Sequence, residues 1–264
     1  MVSRYRQPAL IIPPGRAAGL LQSLAECIPA LLVAVLAGLA PALAAADPAD
    51  LLRPYTAQYR TTARGFDLNI TRKLALEDDG RFVLTNGGKI MVVGFQEISV
   101  FKVSQDKIQS ISYVYQGTGL VSRRQELHFA PQQDIIKSLY KGQWYDLAYA
   151  DNTLDRMSQL EQLRLALLEN PAAARDITLR VADGKRIKAS HLVLIGNETL
   201  QTALGAVDTL HYERLHDTAR RKSDFWFAPA WDYLMVRTLH IEDGDPVEMT
   251  LTSATIGGGP IGAP

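Results

Sequence analysis

Apolar and polar residues alternate along most of this chain, from Tyr55 to Ala254, and this pattern restricts its fold more than any other. Leu68, Ile70 and Leu74 fall on one face of their segment, and the other face is polar. A period of two is typical of β-strands with one face in a core and the other in water. Asp-Gly steps between such segments suit tight hairpin turns, because both central positions need positive φ. The sequence therefore predicts a mainly β protein with antiparallel hairpin connections.

The alternation and the turn residues divide the chain into fourteen expected strands. In the first half these are Tyr55–Thr62, Phe66–Leu76, Arg81–Thr85, Phe95–Val103, Ile108–Gln116, Val121–Ala130 and Ile135–Tyr140. In the second half they are Ile177–Ala182, Lys185–Ile195, Thr199–Leu204, Ala206–Leu215, Arg221–Ala228, Tyr233–Glu242 and Val247–Ala254.

Between the two halves, apolar residues recur every three or four positions over Leu154–Leu168, which predicts one amphipathic helix. Thr153 or Asp151 is expected to cap its start, and Asn170-Pro171 to end it. The connections on either side are short, so we expect a single β-rich domain over residues 47–256. Its predicted architecture is one strongly curved antiparallel sheet, resembling a half-barrel or β-roll, wrapped around that helix. Two small β domains joined by the helix are the alternative, and the glycine-rich residues 257–264 are expected to be disordered.

The N-terminus predicts export. Residues 28–46 carry no charge, follow Arg4, Arg6 and Arg16, and end in alanines that suit signal peptidase. We therefore expect residues 1–46 to be a signal peptide, cut after Ala44 or Ala46, and the protein to be periplasmic. The same segment can nearly span a bilayer, so an uncleaved anchor in the inner membrane, facing the periplasm, is the alternative. The charged region before it is long for a signal peptide, and a true start internal to the printed sequence is the alternative to Met1.

Composition excludes several classes of function. The only cysteine, Cys27, lies in the predicted signal peptide, so the mature chain would have neither a disulfide nor a thiolate nucleophile. Residues 47–264 carry a net charge of −2 and lack a basic stripe, which argues against nucleic acid as a partner. No phosphate-binding loop, dinucleotide fingerprint or nucleophile elbow is present, and the five histidines have no metal-ligand spacing. We expect no cofactor and no metal.

Two groups of residues remain as candidates for binding or chemistry. Asp151, Asp155 and Arg156 gather at the start of the predicted helix, where two carboxylates four residues apart can act as an acid–base pair. Helix capping explains the same carboxylates without catalysis. Trp226 and Trp231 belong to an aromatic group around Pro229, which would line the mouth of a pocket for an acyl chain or sugar, or else fill the core.

Three stretches carry a resemblance to a known family, and the resemblance extends over roughly Pro54 to Ala254. They are Asp151–Leu160, Leu204–Thr209, and Phe225–Pro229 with Asp232–Arg237. Together they resemble the motifs of domain of unknown function family 3108, except that Met235 stands where the family usually has proline. This resemblance implies an exported bacterial envelope protein. It implies no activity, cofactor or catalytic residue.

The absence of a catalytic motif favours a non-enzymatic binding or assembly module of the cell envelope. An apolar concavity between sheet and helix would suit a lipid-like or other apolar small molecule. An envelope hydrolase that uses Asp151 and Asp155 is one alternative, and a structural partner of a larger envelope complex is another. Contact with a membrane is expected only through an uncleaved N-terminus.

Overall fold

The computed structural model describes residues 48–63, 66–90, 93–119 and 122–262. The predicted signal peptide and its cleavage sites lie outside these residues. These residues include two α-helices, α1 (Pro48–Leu51) and α2 (Ser158–Glu169), with 3₁₀ turns at Pro131–Gln133, Ala173–Arg175 and Pro229–Trp231. Most of the rest is strand. The first eight strands are β1 (Tyr55–Ala63), β2 (Phe66–Leu76), β3 (Phe82–Ile90), β4 (Val93–Ser104), β5 (Lys107–Thr118), β6 (Arg123–Ala130), β7 (Ile135–Tyr140) and β8 (Gln143–Ala148).

The strands of the second half are β9 (Thr153–Leu154), β10 (Asp176–Asp183), β11 (Arg186–Thr202), β12 (Gly205–Leu215), β13 (Arg221–Ala228), β14 (Leu234–Glu242), β15 (Asp245–Ile256) and β16 (Gly259–Pro260). They join the first eight in a single sheet of sixteen strands, which confirms the mainly β prediction. The order across the sheet is β8-β7-β6-β5-β4-β3-β2-β1-β15-β14-β13-β12-β11-β10-β9, and β16 pairs with β15. Every pair is antiparallel except β9 with β10.

Alternation of burial follows the predicted period of two. On β1, Tyr55, Ala57 and Tyr59 are buried, whereas Thr56 and Arg60 between and beside them are not. The buried apolar side chains of the strands and of α2 form one continuous cluster. The alternation therefore marks the face of the sheet that packs against this cluster.

Several predicted strand boundaries are wrong, and glycine explains two of them. β3 continues to Ile90 rather than Thr85, through Gly87 and Gly88. A Cβ on Gly88 would lie 2.6 Å from the Asn69 carbonyl oxygen, so glycine allows the close approach of β2 there. β11 runs unbroken where two strands were predicted, with a bulge beside Gly196 in its pairing with β12. The short strands β8 and β9 were not predicted.

The glycine-rich tail is ordered over residues 257–262, contrary to the sequence prediction. Gly257 and Gly258 have φ of 58° and 84°, which lets the chain turn back sharply. Strand β16 then pairs with β15, and the Ile261 N–H donates to the Ala254 carbonyl at 3.0 Å. Glycine supports a tight turn here, where composition alone indicated disorder.

Helix α2 begins at Ser158 rather than Leu154, because Leu154 belongs to β9. The helix is also not amphipathic in the predicted sense, since polar residues are buried along with leucines. Its buried residues are Ser158, Gln159, Glu161, Gln162, Leu163, Arg164, Leu165 and Leu167. Contacts come from α1, β5 and β10. Because the helix is covered on several sides, its buried polar side chains need hydrogen-bond or ionic partners from the surrounding strands and turns.

The two ends of the strand order are linked. β8 and β9 lie at opposite ends of that order, yet only residues 149–152 separate them in the chain. In addition, the Ser138 hydroxyl of β7 donates a hydrogen bond to the Gly184 carbonyl in the β10–β11 turn. Strands that are far apart in the sheet order are therefore close in space.

Candidate functional site

A cavity of about 640 Å³ lies beside α2, between the helix, the β4–β5 turn and the strands β10 and β11. Its apolar wall is formed by Leu154, Ala166, Ile177, Leu179 and Ile187. Its charged residues are Asp106, Lys107, Asp151, Glu169, Arg180 and Lys188, and Asn152, Gln162, Thr178 and Ala189 complete the lining. We call this space the α2 cavity.

Gln162 fixes one side of the α2 cavity. Its side-chain carbonyl accepts a hydrogen bond from the Ile108 N–H at 2.7 Å, and its amide nitrogen donates to the Asp106 carbonyl at 3.0 Å. A single buried side chain thus attaches the helix to the β4–β5 turn. Because both partners are backbone groups, this wall of the cavity does not depend on the identity of the turn residues.

Strand β10 forms the opposite side with an edge that is only partly covered. Strand β9 pairs with β10 at Arg180 and Val181 alone, and Ile177, Thr178 and Leu179 line the cavity. Among the described strands, no further one covers this edge of β10. The short length of β9 is therefore what leaves the α2 cavity open on this side.

The charges of the α2 cavity balance, with three acidic and three basic side chains. Lys188 binds Asp183 at 2.8 Å, Lys107 lies 3.9 Å from Asp106, and Arg180 donates to the Asp151 carbonyl at 3.5 Å. A site with an apolar wall and no excess of charge favours an apolar or zwitterionic ligand over a strongly charged one.

Asp155 is the residue that caps α2, in place of the predicted Thr153 or Asp151. One carboxylate oxygen accepts the N–H groups of Met157 and Ser158 at 2.8 and 2.9 Å, and the Asp155 N–H donates to the Ser158 hydroxyl at 2.9 Å. The other oxygen accepts the hydroxyl of Ser99 at 2.7 Å. This reciprocal arrangement is a capping box with serine in the fourth position.

Burial raises the pKa of Asp155, although the hydrogen bonds from Ser158, Ser99 and Met157 oppose the rise. The carboxyl group is fully buried and both of its oxygens are occupied. Asp151, in contrast, is exposed in the turn before β9 and lines the α2 cavity. The two carboxylates therefore do not share a cleft, and the predicted pairing of Asp151 with Asp155 on one helical face is wrong because neither residue is in the helix.

Arg156 and the two tryptophans are placed apart from the α2 cavity. Arg156 is exposed, next to Asp183 of the β10–β11 turn. Trp226 is buried, donates its indole N–H to Glu198 at 2.7 Å and stacks on His211 with ring centroids 4.4 Å apart. Trp231 is also buried. None of these three predicted site residues lines the α2 cavity, so a binding role for them remains a prediction.

Two further observations bear on function. In the part of the chain that the structure describes, no helix combines the length and apolarity needed to cross a membrane. Within the same residues, no three His, Cys, Asp or Glu side chains come together as ligands for a metal ion.

The sequence matches one family over most of its length, since the model of the family described as "Protein of unknown function (DUF3108)" covers residues 52–252. The chain belongs to the DUF3108 family. No match to this DUF3108 chain is found among curated proteins.

Two solved structures resemble this DUF3108 chain to different degrees. The crystal structure of a β-barrel-like protein of domain of unknown function DUF1849 from Brucella abortus has a TM-score of 0.52 and 11% identity, covering 78% of this chain and 98% of that one. At this identity the similarity shows a common fold only. A second structure, the Pseudomonas aeruginosa MucA/MucB complex, has a TM-score of 0.38 and 13% identity, covering 81% of this chain and 55% of that one.

The sequence did not predict a buried ionic cluster that joins α2 to the DUF3108 sheet. Glu161 accepts the Tyr55 hydroxyl at 2.7 Å and lies 3.1 Å from Arg72 and 3.3 Å from Arg164. Arg164 also donates to the Asp232 carbonyl at 2.8 Å. Burial by itself would raise the pKa of Glu161, but Arg72 and Arg164 lower it below its ordinary value. Charged residues at helical spacing usually indicate a solvated face, so nothing in the pattern marked this one as buried.

Proposed function

We propose that this protein is a non-enzymatic binding module of the bacterial cell envelope and that it holds an apolar or amphiphilic small molecule, such as an acyl chain, in the α2 cavity. The observation that carries the proposal is the apolar wall of that cavity, together with its volume of about 640 Å³. Small-molecule sites typically enclose about 300–1,000 Å³ and are mostly apolar with a few polar groups. The burial of Asp155 supports the non-enzymatic part, because its occupied oxygens leave no carboxylate pair for hydrolysis.

A strongly curved sheet is part of this proposal. Fifteen strands laid flat would extend over roughly 67 Å at a spacing of about 4.8 Å. Residues 149–152, however, join the two end strands, and a link of that length spans at most about 19 Å. The sheet must therefore bend back on itself, and the concave side of such a sheet is where α2 and a ligand would be enclosed.

Location in the envelope rests on the N-terminal sequence. We expect the mature protein to be periplasmic and to begin at Ala45 or Asp47. N-terminal sequencing of protein from fractionated cells checks this expectation. Recovery of the unprocessed chain in the membrane fraction would favour the anchored alternative.

Native mass spectrometry tests the binding proposal directly. We expect protein purified from the cell envelope to carry an added mass that is released by organic extraction and restored by long-chain fatty acid. Ala166→Phe places a large ring in the α2 cavity and should abolish the added mass, whereas Ala203→Phe, at an exposed turn, should leave it unchanged. Ligand-free wild-type protein in every preparation would contradict the proposal.

An assembly role lacks comparable support. The exposed large apolar side chains Leu76, Trp144, Ile195, Leu215 and Val247 lie on five different strands. Single exposed apolar residues are ordinary on protein surfaces.

A further inference from the structure

Arg214 is exceptional among the basic side chains that the fold takes away from water. In the described residues, five Lys and Arg side chains are at least partly buried, and four of them have a carboxylate within 4 Å. The four pairs are Arg72 with Glu161, Arg164 with Glu161, Lys188 with Asp183, and Arg237 with Glu248. Arg214 has no such ion pair within the described part of the chain.

The contacts of Arg214 do not compensate its charge. The guanidinium lies 5.4 Å from the centroid of the Phe225 ring, and Nε is buried without a hydrogen-bond acceptor in the described residues. Burial, and after it the charge of Arg156, lowers the pKa of Arg214 to about 10. The side chain is still charged at neutral pH, and a partly buried cation without a counter-charge is unfavourable.

Arg156 adds a second cation close by. Its side chain is exposed, and within the described chain no carboxylate lies within 4 Å of it. Glu97 and Asp183 are its acidic neighbours and raise the pKa of Arg156, but each also serves another group. Asp183 binds Lys188 at 2.8 Å, and Glu97 accepts the Tyr113 hydroxyl at 2.7 Å. The charge of Arg156 acts on both Arg214 and His240, so two guanidinium groups lie in the same region. Arg156 is beside Asp183 and Gly184, and Arg214 is near the C-terminal end of β12.

Two histidines beside Arg214 are held in their neutral form. The Ser223 hydroxyl lies 2.9 Å from the His216 ring nitrogen and 2.8 Å from that of His240. Burial lowers the pKa of His216, and Arg214 and His240 lower it further. Burial also lowers the pKa of His240; Glu242 opposes this shift, and Arg214 and Arg221 add to it. Neutral imidazoles can donate an N–H without a further charge, and their response to Arg214 gives a means of detecting a bound anion.

We propose that Arg214 and Arg156 bind an oxyanion, namely a phosphate group, at this end of the sheet. Planar guanidinium groups suit phosphate oxygens in geometry and charge, and a bound anion would supply the direct ion pair that Arg214 lacks among the described residues. The site is separate from the α2 cavity, whose lining includes neither arginine. It therefore goes beyond the proposed function and does not depend on it.

Titration with inorganic phosphate, against sodium chloride at equal ionic strength, tests the site. In the wild type, phosphate but not chloride should raise the unfolding temperature and raise the pKa of His240, followed by NMR of the ring carbons. Arg214→Gln should weaken phosphate binding about tenfold or more and should raise the pKa of His216 and His240 without phosphate. Arg220→Gln, at an exposed arginine, is the matched control and should behave as the wild type.

Arg156→Gln keeps the test decisive if Arg214→Gln does not fold, because Arg156 is exposed and its replacement should also weaken phosphate binding. Equal phosphate binding by wild type and Arg156→Gln, or equal effects of phosphate and chloride, would overturn the proposal.

Cosedimentation with vesicles identifies the source of the phosphate. Binding to phosphatidylglycerol vesicles but not to phosphatidylcholine vesicles, lost in Arg156→Gln, would indicate a lipid headgroup. A response to inorganic phosphate alone would indicate a soluble phosphate or phosphate ester. No response to either probe would reject the site.

Discussion

Glu161 shows how one residue connects the helix to the sheet. Its carboxylate serves Tyr55, Arg72 and Arg164, and all three partners are buried with it. Removal of one member of a buried ionic group leaves the other charges away from water without a partner. The resulting loss in free energy of unfolding is larger than the net contribution of the intact ion pair. The cluster is therefore expected to make the position of α2 unique.

Glu161→Gln should lower the free energy of unfolding by about 3–5 kcal/mol, because Arg72 and Arg164 would both lose their counter-charge. Urea denaturation followed by circular dichroism measures the loss. Glu169→Gln, on the exposed end of the same helix, should change it by less than about 0.5 kcal/mol. A loss for Glu161→Gln as small as that of the control would show that the cluster is not coupled to folding.

Asp155 should give stability an unusual dependence on pH. Burial raises its pKa in the folded state, so the folded protein favours the neutral carboxyl group. The contribution of Asp155 to the free energy of unfolding is therefore complete below its unfolded-state pKa and is lost as the pH rises through its folded-state pKa. Asp155→Asn remains neutral and escapes this loss. The unfolding free energy of the variant relative to wild type should therefore increase from about pH 3 to about pH 7. Asp151→Asn provides the control. If the free energy of unfolding of Asp155→Asn followed the same pH dependence as that of the wild type, the raised pKa of Asp155 would be contradicted.

At the scale of elements, α2 and the β4–β5 hairpin are joined by Gln162. Two hydrogen bonds to backbone groups hold the turn against the helix and shape one wall of the α2 cavity. Gln159, in contrast, bonds within its own turn, because its side-chain amide donates to the Arg156 carbonyl at 2.9 Å. Replacement of Gln162 therefore tests the attachment of the β4–β5 turn, whereas replacement of Gln159 affects only the helix.

Gln162→Ala should increase hydrogen exchange at the Ile108 amide by about tenfold or more, because the substitution removes the acceptor of that N–H. Exchange at amides in the middle of β13 should change only through global stability. Gln159→Ala is expected to leave the Ile108 rate unchanged, and NMR of the two variants makes the comparison. Equally faster exchange at the Ile108 amide in both variants would show that Gln162 does not specifically stabilise the turn.

At the scale of the whole molecule, the strand order connects both halves of the chain. Strand β1 lies between β2 and β15, so the first and last long strands pair near the middle of the sheet. All buried apolar residues belong to one cluster. Such a structure is expected to unfold as one unit, whereas two β domains joined by a helix would unfold in two steps.

Unfolding of residues 47–264 should therefore show a single transition. Trp144 lies on β8, Trp226 on β13 and Trp231 in the following turn, so fluorescence senses strands far apart in the sheet order. The midpoint by fluorescence should coincide with that by circular dichroism. Leu165→Ala should shift both midpoints equally, because it lowers the free energy of unfolding by about 2–5 kcal/mol. Separate midpoints would support two domains.

Local patterns in the sequence were enough for the β class, the antiparallel connections and the family, because alternation and turn chemistry act between residues close in the chain. They also located α2 to within a few residues. Boundaries were missed where a glycine fits a close approach, as at Gly88, or supports a turn, as at Gly257. In those places the neighbouring strand decides what the glycine does.

Sequence by itself determined that this protein is mainly β, with antiparallel hairpins and a helix between its halves. Only the tertiary structure decided that Asp155 is buried while Asp151 is exposed, that Glu161 pairs with Arg72, and that Arg214 finds no ion pair among the residues with described positions. The physical reason is that burial, pKa and ionic pairing depend on groups brought together from distant strands. A residue's own neighbours in the chain set its backbone, but its electrostatic environment exists only once the sheet has formed.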